Sequence, residues 1–209
     1  MRCIRWRTVR GFAAVMLAAS TVAGCSVLPE PATPPSQYRL APDPAPFSSA
    51  PNGPVLMVDV SHAGSGFETT AMRHTGDGLQ LASYADGEWV APPQDMLVDW
   101  AVSALGARGV FRAVVRAAES VPAELRLTLQ LLELVHHRAG AGSGDVRLRF
   151  RAVLVGEDGR VLVSDVITAS EAAGGMGAGA MAAAANSAVR DAVDRLTTLV
   201  ERQVTEPRR

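Results

Sequence analysis

The chain has 209 residues, two cysteines and a formal net charge of −1. That length suits one domain with a tail. The cysteine count excludes a disulfide framework, and the missing basic excess argues against a nucleic-acid binder. Every basic residue is arginine, which with so much Ala and Gly reads as genomic composition bias.

Arg2, Arg5, Arg7 and Arg10 precede an apolar run from Phe12 to Ala19, then the small residues Ala23 and Gly24. This is the layout of a secretory signal. Residues 11–24 are too few to span a bilayer, which takes about 20 apolar residues. Val22-Ala23-Gly24-Cys25 resembles a bacterial lipobox, whose thiol is alkylated with diacylglycerol. Cleavage then frees the Cys25 amine for a third acyl chain. Each buried methylene contributes about 0.8 kcal/mol, so several chains hold where one would not. Cys25 is the expected lipidation site and residues 1–24 the expected signal peptide. Ser26 follows in place of Asp, which points to the outer membrane in a cell that has two. Maturation takes 24 residues, four arginines and Cys3 off the chain, leaving 185 residues and a charge of −5.

Residues 27–54 are rich in Pro, Ala and Ser, which favours extended, solvated backbone. Residues 25–54 are expected to form a lipidated tether, with Gln37-Tyr38-Arg39-Leu40 docking as a short edge strand. The domain is expected to span 55–204, with 205–209 a disordered tail. Val55 to Val60 is a compact strand candidate. Residues 69–74 and 79–84 suggest two short strands split by the turn signal Thr75-Gly76-Asp77-Gly78. Pro92 and Pro93 then suit a helix start, Asp95 complements its positive end, and Gly109 is a stop signal. Val110 to Val115 suggests another strand.

Leu125, Leu127, Leu129 and Leu131 alternate with polar residues, as in a half-buried strand. The alternation slips at Leu131-Leu132, the mark of a bulge. Residues 136–145 read as a hairpin loop. Val146, Leu148, Phe150, Ala152 and Leu154 then alternate with Arg147, Arg149 and Arg151. Glu157-Asp158-Gly159-Arg160 is a tight turn before a strand from Val161 to Thr168. Met181, Ala185, Ala188, Val189, Ala192, Leu196, Leu199 and Val200 make one apolar helical stripe. The sum is an α+β fold: a mostly antiparallel sheet with two main helices packed on one face, after a signal peptide and a Pro-rich tether.

Few residues suggest chemistry. Gly175, Gly177 and Gly179 are spaced as in a dinucleotide loop, but no parallel strand follows the helix and no Gly-Lys-Ser/Thr is present. They read as a flexible lead into an Ala-rich helix. His62, His74, His136 and His137 show no metal-ligand spacing, and His136 and His137 point to opposite faces of a strand. No nucleophile elbow occurs. Neither catalytic residue, metal nor cofactor is expected. Arg147, Arg149 and Arg151 put three guanidinium groups on one strand face, for lipid phosphates or an acidic partner, or as a salt-bridged face with Glu133 or Asp165. Tyr84 and Trp89 are candidate partner contacts, or pins holding a strand–helix corner to the core.

The lipobox, the tether with "QYRL" and the run "LASYADGEWVAPPQDMLVDWAVSALGARGVFRAV" together resemble the ABC-type transport auxiliary lipoproteins, similar to the paraquat-inducible protein C lipoproteins. The similarity is carried by Tyr84, Trp89, Pro92, Pro93, Leu97, Leu105 and Phe111, then by "LRLTLQLLEL", "VRLRFRAVLVGEDGRVL" and a final helix. It runs from Cys25 to about Val204. It implies a periplasm-facing, lipid-anchored outer-membrane protein, not an enzyme. The implied partners are an MCE-domain protein that bridges the membranes and its ABC permease and ATPase, in a lipid transport system. A structural or regulatory lipoprotein acting on a cell-wall enzyme or an outer-membrane assembly machine is the alternative reading. Homo-oligomerisation is left open.

Overall fold

Apolar residues at every second position of two long strands build one wall of the molecule. The computed structural model describes residues 33–41, 46–62, 64, 66–119, 121–142 and 144–205. The expected signal peptide, the expected lipidation site Cys25 and residues 206–209 lie outside them. The compact unit begins at Pro35. Its strands are β1 (Ser36–Tyr38), β2 (Val55–Val60), β3 (Ala71–Thr75), β4 (Ala82–Trp89), β5 (Ala113–Arg116), β6 (Leu125–Arg138), β7 (Gly144–Gly156) and β8 (Val161–Ala172). Helix α1 (Pro93–Gly106) falls between β4 and β5, and α2 (Ala178–Thr205) follows β8.

All eight strands join one mixed, mostly antiparallel sheet. β6, β7 and β8 form a long antiparallel meander. The other edge of β6 is shared: β2 pairs with its first half and β3 with its second, both parallel. β2 and β3 therefore lie end to end on one strand. β5 flanks β2, while β4 and then β1 flank β3. The parallel pairings were not expected from the sequence. They coexist with the antiparallel meander because the connections through α1 and residues 61–70 return the chain to the same edge of β6.

Alternation decides which face is covered. Leu125, Leu127, Leu129 and Leu131 of β6 and Val146, Leu148, Phe150, Ala152 and Leu154 of β7 are buried beneath the helices. Arg147, Arg149 and Arg151 alternate with them and are exposed. Pro93 opens α1, where the missing N–H leaves nothing unsatisfied, and Asp95 sits in its first turn. α1 ends at Gly106, ahead of Gly109, which has φ +70°. The α2 stripe is buried as expected, apart from the partly buried Leu199. Its small residues bring the helix close to the sheet. A Cβ placed on Gly87 of β4 would stand 2.4 Å from Ala178 Cβ, so only glycine fits there. β4 thus runs on to Trp89, beyond residue 84 where the strand was expected to end.

β1 is the expected edge strand at Gln37-Tyr38. After it, Asn186 of α2 binds the chain twice, accepting from the Ala41 N–H at 2.8 Å and donating to the Arg39 carbonyl at 3.1 Å. Ser48 N–H caps the Gly106 carbonyl at 2.9 Å, and Ala50 N–H binds the Phe111 carbonyl at 2.9 Å. Residues 46–54 are therefore laid against the end of α1. No helix among the described residues is long and apolar enough to cross a membrane.

Candidate functional site

The uncovered face of the meander carries the three arginines, because β7 sends its odd-numbered residues away from the helices. Their partners differ. Arg147 Nε lies 2.8 Å from Asp145 Oδ2. Arg149 Nη1 stands 3.6 Å from Glu133 Oε2, and the other oxygen of that carboxylate is 2.8 Å from His137 Nε2. Arg151 donates to the Ser164 hydroxyl at 3.3 Å. Burial alone would push the Asp145 carboxyl up, but hydrogen bonds from Arg147 and Ser170 hold it below its ordinary value. Asp145 in turn raises the Arg147 guanidinium. Asp165 lies on the opposite parity, where its carboxylate accepts from the Val166 N–H at 2.8 Å, so it is no partner for the stripe. A shallow depression of about 460 Å³ lies beside Arg151, lined by Gln130, Leu132, Ser164, Asp165 and Val166. The three guanidinium groups thus carry different commitments, and Arg151, bound to a neutral hydroxyl, is the one best placed to meet an acidic group.

The two aromatic candidates do not share a surface. Trp89 is 1% exposed and belongs to the core, where it offers a partner nothing. Tyr84 is half-buried and its hydroxyl is engaged: it donates to the Met176 carbonyl at 2.9 Å and lies 2.7 Å from His136 Nδ1. One hydroxyl has one proton. With that proton on the carbonyl, Nδ1–H is the donor to the Tyr84 oxygen, and the ring is neutral with Nε2 bare. His136 Nε2 is indeed buried with no hydrogen-bond partner. His74 stacks obliquely on Tyr84, with ring centroids 4.8 Å apart. This cluster ties β3, β4 and β6 to the glycine-rich lead into α2. Only the inward facing of His136 had a signal in the sequence: the bulge between Leu131 and Glu133 resets the parity, and counting on from Leu134 turns His136 inward. No group of His, Cys, Asp and Glu side chains that would hold a metal occurs among the described residues.

Burial, then Arg138, lowers the pKa of both His74 and His136; neighbouring His74 adds to the effect on His136. Both folded values lie below the unfolded value, so the unfolded chain binds more protons as the medium acidifies. Stability should be constant above the ordinary histidine value of 6.5 and fall as pH drops from there towards the folded values. Urea denaturation at pH 7.5 and 5.5 measures this. His136→Gln should flatten the difference, and equal stability at the two pH values would show that the histidines are not buried neutral. Asp145 acts in a separate window, below the ordinary carboxylate value of 3.8.

A family model described as "ABC-type transport auxiliary lipoprotein component" matches residues 38–197, from β1 into α2. No curated protein matches the chain. Among solved structures, protein XCC0632 from Xanthomonas campestris is similar at 22% identity and TM-score 0.70, covering 80% of this chain and 97% of that one. An uncharacterized protein is similar at 12% identity and TM-score 0.60, covering 80% and 99%. A putative lipoprotein from Caulobacter crescentus reaches 13% identity and TM-score 0.43, covering 72% and 93%. At these identities the first two likenesses speak for the fold alone.

Proposed function

We infer the role of this chain from its family: it belongs to the ABC-type transport auxiliary lipoprotein components. That is a family of transport lipoproteins and not a known enzyme family. We propose that the chain is lipidated at Cys25, faces the periplasm from the outer membrane, and serves an MCE-type ABC system that moves phospholipid between the membranes. It acts by binding a protein partner, the MCE-domain component, and turns over no substrate. The observation that carries this reading is the family match across the folded unit, in a chain whose N-terminus has the charge, apolar run and Val-Ala-Gly-Cys sequence of a lipoprotein signal. The Pro-rich run after Cys25 provides reach, and the arginine face of β7 is the proposed contact.

Co-purification tests it. The lipidated protein should bring down the MCE-domain component without added cofactor. Arg149→Glu with Arg151→Glu should weaken recovery about ten-fold or more while leaving the fold intact, since exposed charges contribute little to stability. Unchanged recovery in that variant would move the contact off β7. No recovery with the native protein would remove the transport reading and favour a lipoprotein that regulates a cell-wall enzyme.

A further inference from the structure

The most exposed large apolar side chain among the described residues is Leu79, at 88%, and Leu81 beside it is 47% exposed. Both lie in the connection between β3 and β4. Exposed leucines on a floppy loop would mean little, but this loop is held. Gly78, at φ +77°, turns the chain, and its N–H donates to Thr75 Oγ1 at 2.9 Å. Asp77 Oδ1 accepts from the N–H groups of Leu79 and Gln80, each at 2.9 Å. The only charge in residues 76–81 is thus turned back onto the loop's own backbone. The device holds Leu79 out in solvent, with the half-exposed Leu81 two residues on.

The sheet shows what lies beyond them. β1 runs parallel to β4, with Ser36 opposite Gly87. The chain therefore comes into β1 from the end of the sheet where β4 begins, which is the end that carries Leu79 and Leu81. From Gly87 back to Ala82 is about 17 Å at roughly 3.3 Å per strand residue. Cys25 lies eleven residue steps before Ser36, which when extended reach about 34 Å at roughly 3.1 Å each. A lipid on Cys25 is thus tied to this end of the domain by a segment long enough to let the loop tip touch the same bilayer.

We propose that Leu79 and Leu81 form a second membrane contact, inserting into the leaflet that holds the acyl chains. This rests on the lipid-anchor reading and adds an orientation to it. A tether alone leaves the domain free to tumble; an apolar tip confined near a surface by that tether meets it at high effective concentration. The opposite end of the sheet, with the turn at Glu157-Asp158 and the end of α2, would then face away from the membrane, with the arginine face standing at the side.

The test uses the full lipidated chain in vesicles of phosphatidylethanolamine and phosphatidylglycerol. Cys3 leaves with the signal and Cys25 is acylated, so Leu79→Cys supplies the only free thiol for an environment-sensitive fluorophore. Glu157→Cys is the control at the far turn. The label at 79 should emit to the blue and be quenched several-fold more strongly by a lipid-borne quencher than the label at 157. Equal, water-like signals at both sites, in protein whose mass shows its acyl chains, overturn the proposal and leave the anchor standing. Protein without acyl mass overturns both.

Discussion

Protein extracted from membranes will be heavier than its 185 mature residues by the mass of its acyl chains, and Cys25→Ser will lose that added mass entirely. Recovery in the outer-membrane fraction should fall at least ten-fold. The size of the effect follows from the chain lengths: at about 0.8 kcal/mol per buried methylene a single 14-carbon chain binds only marginally, and the second and third chains make the attachment durable. Loop leucines cannot replace them, since two side chains bury far fewer carbons than one acyl chain. Intact-mass measurement and membrane fractionation decide the matter together. A soluble wild-type protein with a free Cys25 thiol would refute lipidation, whatever the fold.

Phe150→Ala should be the most damaging single substitution on β7, costing about 3–5 kcal/mol of folding stability. Phe150 is fully buried, with Leu131 opposite on β6 and Ile167 opposite on β8. Removing the ring leaves a cavity between the sheet and the helices. Against a typical total of about 5–15 kcal/mol, that loss brings a domain of this size close to unfolding. Its neighbours point the other way. Arg149→Glu and Arg151→Glu should each change stability by less than about 1 kcal/mol. Chemical denaturation of the three variants reads both predictions; comparable losses at 149 and 150 would mean that the arginine face is covered.

The meander was legible because strict alternation survives in β6 and β7, and even its bulge shows as the Leu131-Leu132 slip. α1 was legible from its prolines, α2 from its stripe. What failed to show has a common cause in contacts made at a distance. β4 continues beyond residue 84, where the strand was expected to end, and Gly87 there makes room for Ala178. The parallel placement of β2 and β3 on β6 leaves no local trace, since parallel neighbours are joined by long excursions and not by a turn motif. β5 was expected from Val110 but begins at Ala113, after Ala50 has taken the Phe111 carbonyl. In the candidate site, the facing of the arginines was readable from the period of two. The burial of Trp89 and the Tyr84–His136–Met176 link were not, because they depend on what α2 lays over the sheet.

The sharing of one edge of β6 by β2 and β3 also governs how the chain must fold in time. β2 carries four buried residues, yet its Val55 N–H is bound by the Glu124 carboxylate 69 residues later, and β6 begins only at Leu125. Before β6 arrives, the first five strands have no common partner. Pairings of such sequence separation close slowly, on the order of milliseconds to seconds for sheet-rich domains. During that interval "VLMV" is an apolar segment with open edges, the kind that aggregates. The domain therefore completes itself late and all at once, so a fragment ending before Leu125 should be a target for proteolysis and not a stable half-domain.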